Sequence, residues 1–281
     1  MSKRHASATE SPTNGESETG DPPAYEIVNP AGVAQIVVIC DHAKRCVPHR
    51  LGDLGLPPEA FEKHIAYDIG AADAARYLAH SLDAVAVLSG FSRLVIDPNR
   101  QLNDLGSVPE ISDGTPVPGN QALSDLERKR RQEQCFFPYH DTVTAKIDAV
   151  WARSGPPAVL SIHSCTDEMN GAKRPWEIGV LYDDDARIAH PLIEVLRQQN
   201  PDLTIGDNQP YSGKDPSTYS IYAHGINRGI PHVGIEIRQD LIGTKVRSEY
   251  WAEILRKAFS GVLDNPALFQ AVTPSAVAGQ R

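Results

Sequence analysis

Two imidazoles and a carboxylate stand where apolar runs of this chain end. IVVIC runs into Asp41-His42, AVLSI into His163-Ser164, and HVGI into Glu236-Ile237-Arg238. In an α/β protein the carboxyl ends of parallel strands open onto the ligand crevice, so side chains far apart in sequence converge there. Imidazole nitrogens and carboxylate oxygens are zinc ligands, and a carboxylate beside the ion can take a proton from water. This set points to a zinc hydrolase.

Glu236 lies between Ile235 and Ile237 in an otherwise apolar stretch. A carboxylate there is costly unless it is paired or functional. It reads as a general base, or else as a buried ion pair with Arg238, Arg93 or Arg100. His42, in DHAKRCVP, and His163, in SIHSCTDEMNG, are the candidate metal ligands. Each alone also fits a loop or a hydrogen-bonded core histidine, but a metal site gathers ligands from separate segments, so each strengthens the other. Asp41 or a nearby carbonyl is expected to fix the His42 tautomer. The third ligand is open between Asp68, on a helix after the first motif in HIAYDIGA, and His64 in the same segment.

SRLVIDPNR supplies Arg93, Asn99 and Arg100. Guanidinium forks bind carboxylates bidentately and stabilise oxyanions, which suits a substrate with a free carboxylate. Tyr211, in PYSGKDPSTY, is placed to close over a ligand as a lid. Cys165 offers a thiol nucleophile as a weaker alternative. Neither GxGxxG nor GxxxxGK[ST] occurs, so no nucleotide cofactor is expected.

The elements that must position these residues alternate. Strands are expected over residues 35–40, 84–88, 93–96, 158–162, 177–182 and 231–237, because each is a short apolar run bounded by turn residues. Helices are expected over 57–82, 187–198 and 245–262. A further helix starts after the N-cap Ser124, with Glu127 completing a capping box, and runs with a break at Pro138 to about Trp151. Residues 101–121 and 207–220 read as loops, dense in Pro, Gly, Asn and Asp. The fold class is α/β, with a mixed, largely parallel sheet flanked by helices.

The chain has 281 residues and a formal net charge of −9, with a pI of about 5.6. That balance argues against nucleic acid or an anionic membrane as partner. No apolar run approaches the roughly 20 residues of a membrane span, and the opening lacks a signal-peptide core, so a cytoplasmic location is expected. Residues 1–30, rich in Ser, Thr, Glu, Gly and Pro, are expected to form a disordered tail. Residues 31–265 form one domain, and 266–281 a flexible C-terminal tail. Four cysteines without CxxC pairing read as reduced thiols.

The series VVICDHAKRCVP, HIAYDIGA, SRLVIDPNR, SIHS, PYSG and GIEIRQDLI, in that order, resembles the N-formylglutamate amidohydrolase family. The resemblance implies a fold like that of the zinc carboxypeptidases and aspartoacylase-type deacylases (phosphorylase/hydrolase-like). It implies one Zn2+ per chain on His42 and His163, Glu236 as base, and Arg100 on the carboxylate of a small acidic N-acyl amino acid. Arg93 would assist the oxyanion, and Tyr211 would be the lid. One departure stands out: where the carboxypeptidases carry a glutamate ligand three residues after the first histidine, this chain has Arg45. Asp68 is then the expected third ligand. A zinc amidohydrolase is the leading reading, ahead of a deacylase or carboxypeptidase-like enzyme on another substrate and of a non-catalytic binding relative.

Overall fold

The computed structural model describes residues 20–215 and 218–273. Its first elements are β1 (Tyr25–Val28), β2 (Ile36–Cys40), α1 (Ala71–Ser81), β3 (Val85–Ser89), β4 (Ile111–Ser112) and β5 (Thr115–Pro116). Then come α2 (Asp125–Arg131), α3 (Phe137–Ser154), β6 (Ala158–Cys165), β7 (Glu168–Met169), β8 (Ala172–Lys173) and β9 (Ile178–Leu181). The chain continues through α4 (Ala189–Gln199), β10 (Ile205–Asp207), α5 (Ser220–His224), β11 (His232–Arg238) and α6 (Lys245–Leu263).

Seven strands form one sheet in the order β1-β3-β2-β6-β11-β9-β10. Four neighbouring pairs run parallel (β3-β2, β2-β6, β6-β11 and β9-β10), and β1-β3 and β11-β9 antiparallel. The expected mixed, largely parallel sheet is what forms. Its central strands are buried on both faces, which is why they read as continuous apolar runs. On one face Val38, Leu160, Ile162, Val233, Ile235 and Ile237 pack against α1, α4 and α6. On the other, Val37, Ile39, Val87 and Val159 pack against Tyr139, Val143, Ile147 and Val150, buried residues of α3. Helix α3 lies on the β1, β3 and β2 side of that face, and towards β11 and β9 the same face borders a cavity.

The other expected strands and helices hold to within three residues, but five readings need correction. The helix expected over 57–82 is only Ala71–Ser81, preceded by a 3-10 turn at Pro58–Glu62 and further turns. Gly70, at φ 78°, interrupts it, and a Cβ there would meet the Ile242 carbonyl at 2.1 Å. The strand expected over 93–96 is instead a turn in which the Val95 N–H donates to the Ser92 carbonyl at 2.9 Å. Leu94, Val95 and Ile96 are apolar because they fill a separate core beneath the loops.

The tail expected over 1–30 is too long: Tyr25–Val28 pairs with β3 at the sheet edge, with Glu26 bonded to Arg76 at 2.9 and 2.8 Å. The tail expected from 266 likewise begins with a 3-10 turn at Pro266–Leu268 that buries Leu268. Residues 1–19 and 274–281 lie outside the described residues. The α2–α3 break also differs in kind. It is a π turn at Gln132–Phe136, ahead of Pro138. Ser124 caps α2 by accepting from the Glu127 N–H at 3.2 Å, while the Glu127 carboxylate turns to Arg50 and Arg131. Among the described residues no helix is long and apolar enough to cross a membrane.

Candidate active site

Each candidate side chain is placed by the end of an element. Strand β2 delivers Asp41 and His42, and β6 delivers Ser161 and His163. The register of β11 on β6 sets Glu236 directly beside His163. Asp68 comes from the turn before α1, not from the helix expected there, and its N–H donates to the His42 carbonyl at 2.9 Å. The loop after β3 brings Arg93, Asp97, Asn99 and Arg100, and the loop after β10 brings Tyr211. All of these but the fully buried Asp41 line one cavity of about 500 Å³, a size suited to a small organic ligand.

At its base His42, Asp68 and His163 place their ligand atoms within 4.8 Å of one another, all buried. His42 Nδ1 lies 3.2 Å and His163 Nδ1 2.9 Å from the same atom, Asp68 Oδ2. The opposite ring nitrogens are already engaged. His42 Nε2 meets Asp97 Oδ1 at 2.8 Å, and His163 Nε2 meets Ser161 Oγ at 2.9 Å and Asp41 Oδ2 at 3.2 Å. A carboxylate only accepts, so with no metal bound each ring, facing carboxylates on both sides, carries a proton on both nitrogens, whereas a metal ion beside Asp68 would replace the two Nδ1 protons and leave each Nε2–H on its carboxylate. Three acceptors aimed at one point require positive charge there, from protons or from a metal ion. Two Nδ1 atoms and a carboxylate oxygen, with carboxylates behind both imidazoles, fit a divalent metal such as zinc.

The electrostatics agree. Burial and the Arg93 charge push His42 down, but Asp97 and Asp68 outweigh them and raise it above the usual histidine value. Burial pushes His163 down as well, and its bonds to Asp41 and Asp68 raise it well above that value. Asp68, despite burial, is held far below the carboxylate range by the two imidazoles. The expectation that Asp41 orients His42 is corrected: Asp97 does that. Asp41 continues the β2 face of Val37 and Ile39, accepting from Tyr139 Oη and Ser220 Oγ at 2.7 Å each.

Glu236 is 7% exposed, and its buried Oε2 has no hydrogen-bond partner. Burial, only partly offset by His163, raises its carboxyl to about 7. The ion pair considered with Arg238 does not form, because that guanidinium points away to Asp240 and Glu177 at 2.8 and 3.6 Å. Arg93 is forked onto Asp97 Oδ2 at 3.1 and 2.8 Å and reaches Asp68 Oδ1 at 3.5 Å. Asn99 accepts at 3.0 Å from the N–H groups of Tyr219 and Ser220, tying its turn to the start of α5. Arg100 stands 3.9 Å from Asp104 on the cavity wall.

Tyr211 reaches the cavity because Gln209 crosses over Gly179, where a Cβ would meet the Gln209 carbonyl at 2.0 Å. Its hydroxyl accepts from Arg174 Nη2 at 3.0 Å, and the guanidinium lies 4.8 Å above its ring. Arg174, Asp97 and Ser161 are supporting residues to which the sequence alone assigns no role, and Asp41 supports His163 where it was expected to support His42. Of the first three, only Asp97 carried a signal, inside the SRLVIDPNR motif.

His64, the alternative third ligand, pairs with Asp113 at 3.3 Å and stays outside the cluster. Arg45 pairs with Glu62 and stacks on Tyr67 at 5.7 Å, away from the metal candidates. Cys165 is buried, and burial followed by the Glu236 charge pushes its thiol far up. A protonated thiol is a poor nucleophile.

The model of one family, N-formylglutamate amidohydrolase, matches residues 34–243. The structure is similar to that of a gene product of Agrobacterium tumefaciens, with 33% identity and a TM-score of 0.82, covering 86% of this chain and 95% of that one. It is also similar to an N-formylglutamate amidohydrolase of Ralstonia eutropha JMP134, with 18% identity and a TM-score of 0.63 over 86% of this chain and 98% of that one. No curated protein matches the chain.

Proposed function

The chain belongs to the N-formylglutamate amidohydrolase family, and on that premise we propose a zinc-dependent hydrolase that cleaves the amide of an N-acyl amino acid, with N-formylglutamate the first substrate to test. One observation carries the proposal. The His42, Asp68 and His163 ligand atoms meet at a point that needs positive charge, with the Glu236 carboxylate set beside His163 and left unpartnered.

Zinc held by these three residues would polarise the scissile carbonyl and acidify water. Glu236 takes the proton of the attacking water and returns it to the departing nitrogen, so that the C–N bond breaks to give a free acid and a free amine. Arg93 assists the oxyanion through Nη1, which makes only the long 3.5 Å contact with Asp68 Oδ1 while Nε and Nη2 hold Asp97. Arg100 binds the substrate carboxylate from the wall, the pinned Asn99 turn fixes its approach, and Tyr211 closes the mouth.

The test is Glu236→Gln, which keeps the shape and removes the base. Zinc content should stay at one ion per chain while formate release from N-formylglutamate falls about 10²- to 10⁴-fold. Near-normal turnover in that variant would refute the assignment of the base.

A further inference from the structure

Glu236 and His163 sit side by side on the cavity face of the sheet, and one pleat lower the register aligns Ser161, Gly234 and Leu181 across β6, β11 and β9. A pleat is two residues, roughly 7 Å along the strand. All three line the cavity, so it continues beneath the base instead of ending at it. Helix α5 packs across β6 and β11 and brings Ile221 to the same cavity.

Two glycines on this face serve different ends. Gly179 is required by backbone: a Cβ would strike the Gln209 carbonyl. Gly234 has no such constraint, since its φ is not positive and a Cβ would meet only the Leu181 side chain, at 3.3 Å or beyond. The nearest of those atoms is the Leu181 Cβ, which its strand holds in place, so the contact would be tight without striking backbone. What Gly234 provides is therefore space. That space is bounded by Ser161, Leu181 and Ile221, with no charge among them, and the Ser161 hydroxyl is already engaged by His163. The arginines of the cavity, Arg93 and Arg100, come from the loop after β3. A carboxylate in the recess would be desolvated without a partner, which is costly, whereas an aliphatic group gains from burial there.

We propose that Gly234 opens an uncharged recess that receives an aliphatic arm of the substrate, so that the preferred substrate carries an aliphatic side chain or an aliphatic acyl chain, and N-formylglutamate is a poorer one. This rests on the amidohydrolase reading. The experiment compares kcat/KM of the zinc-loaded chain on N-formylglutamate, N-formylleucine and N-butanoylglutamate, for the wild type, Gly234→Ala and Gly234→Val. Calorimetric binding of leucine and of butanoate adds a readout independent of turnover, and melting curves check that each variant is folded.

One aliphatic substrate should exceed N-formylglutamate by about tenfold or more, and which one does so identifies the arm. The matching product should bind, and Gly234→Val should erase most of that advantage, with Gly234→Ala in between. A wild type that prefers N-formylglutamate overturns the recess and leaves the amidohydrolase reading intact, as do variants that keep the substrate ranking unchanged. A natively melting, zinc-loaded wild type that hydrolyses none of the three overturns both.

Discussion

The protein buries two pairs of histidines with the same ring separation and opposite chemistry. His42 and His163 lie 5.2 Å apart with rings at 63°, and His140 and His224 lie 5.2 Å apart, stacked at 20°. The first pair meets Asp97, Asp68 and Asp41, and both rings are raised above the ordinary histidine value. The second meets a carbonyl and itself. His140 Nε2 lies 2.9 Å from the Pro98 carbonyl, so it carries the proton, and His140 Nδ1 then accepts from His224 Nε2 at 2.9 Å. Burial lowers His140 to about 4, and burial with the neighbouring His140 lowers His224 to about 3. Asp41 lies between the pairs, its Oδ2 3.2 Å from His163 Nε2 and its Oδ1 accepting from Tyr139 and Ser220. The lesson is that a buried imidazole pair says little by itself. Carboxylates behind the rings decide whether the space between can hold a cation.

The sharpest way to break the comparison is to remove a ligand. His163→Ala should abolish stoichiometric zinc and lower amide hydrolysis at least about 10³-fold, by analogy with the loss of any member of a catalytic unit, while His140→Phe should leave one zinc per chain. Metal analysis after gel filtration checks both. Zinc retained in the His163 variant would remove the metal centre from the argument. Next in size is the support behind the ring. Asp97→Asn keeps the shape but weakens the acceptor for His42 Nε2–H, and should cost about 10- to 100-fold in zinc affinity, read by chelator competition. An unchanged affinity would mean that the carboxylates behind the rings do not separate the two pairs.

The parts legible beforehand were those where one residue type serves one physical purpose. Central strands such as Ile36–Cys40 are apolar on both faces, so their ends, and with them His42, His163 and Glu236, could be located. Asp68 does meet His42 and His163, but in a turn and not on the helix expected there, because residues 57–82 carry apolar side chains at helical spacing while Gly70 stops the helix. Leu94-Val95-Ile96 reads as a strand for a similar reason: burial in a loop core leaves the same apolar imprint as burial in a sheet. Edge strand Tyr25–Val28 was hidden by its polar surroundings. The partners of the two imidazoles were not legible at all, because which carboxylate meets which ring depends on how two loops fold back over the sheet. Asp41, adjacent to His42 in sequence, serves His163 instead. The His140 and His224 pairing is invisible for the same reason, joining α3 to α5.

The smallest effect separates the pairs by pH. A histidine whose folded value is depressed below its ordinary 6.5 refuses a proton that the unfolded chain accepts. Stability conferred by the neutral pair is therefore fully present above about pH 6.5. It is lost as pH falls towards the folded values, about 4 for His140 and about 3 for His224. Each ring should cost about 2 kcal/mol between about pH 7 and about pH 5, a window that Glu236 shares in wild type and variant alike and that lies above the range where Asp41, Asp68 and Asp97 protonate. His224→Gln keeps an N–H donor within reach of His140 Nδ1 and removes one titrating ring. Urea unfolding of zinc-loaded wild type and variant across that window gives a difference curve in which terms common to both cancel, including those of the zinc site. The variant should lose about half as much stability on the histidine account as the wild type. Parallel curves would mean that the second pair is not held neutral, and the contrast between the two pairs would collapse.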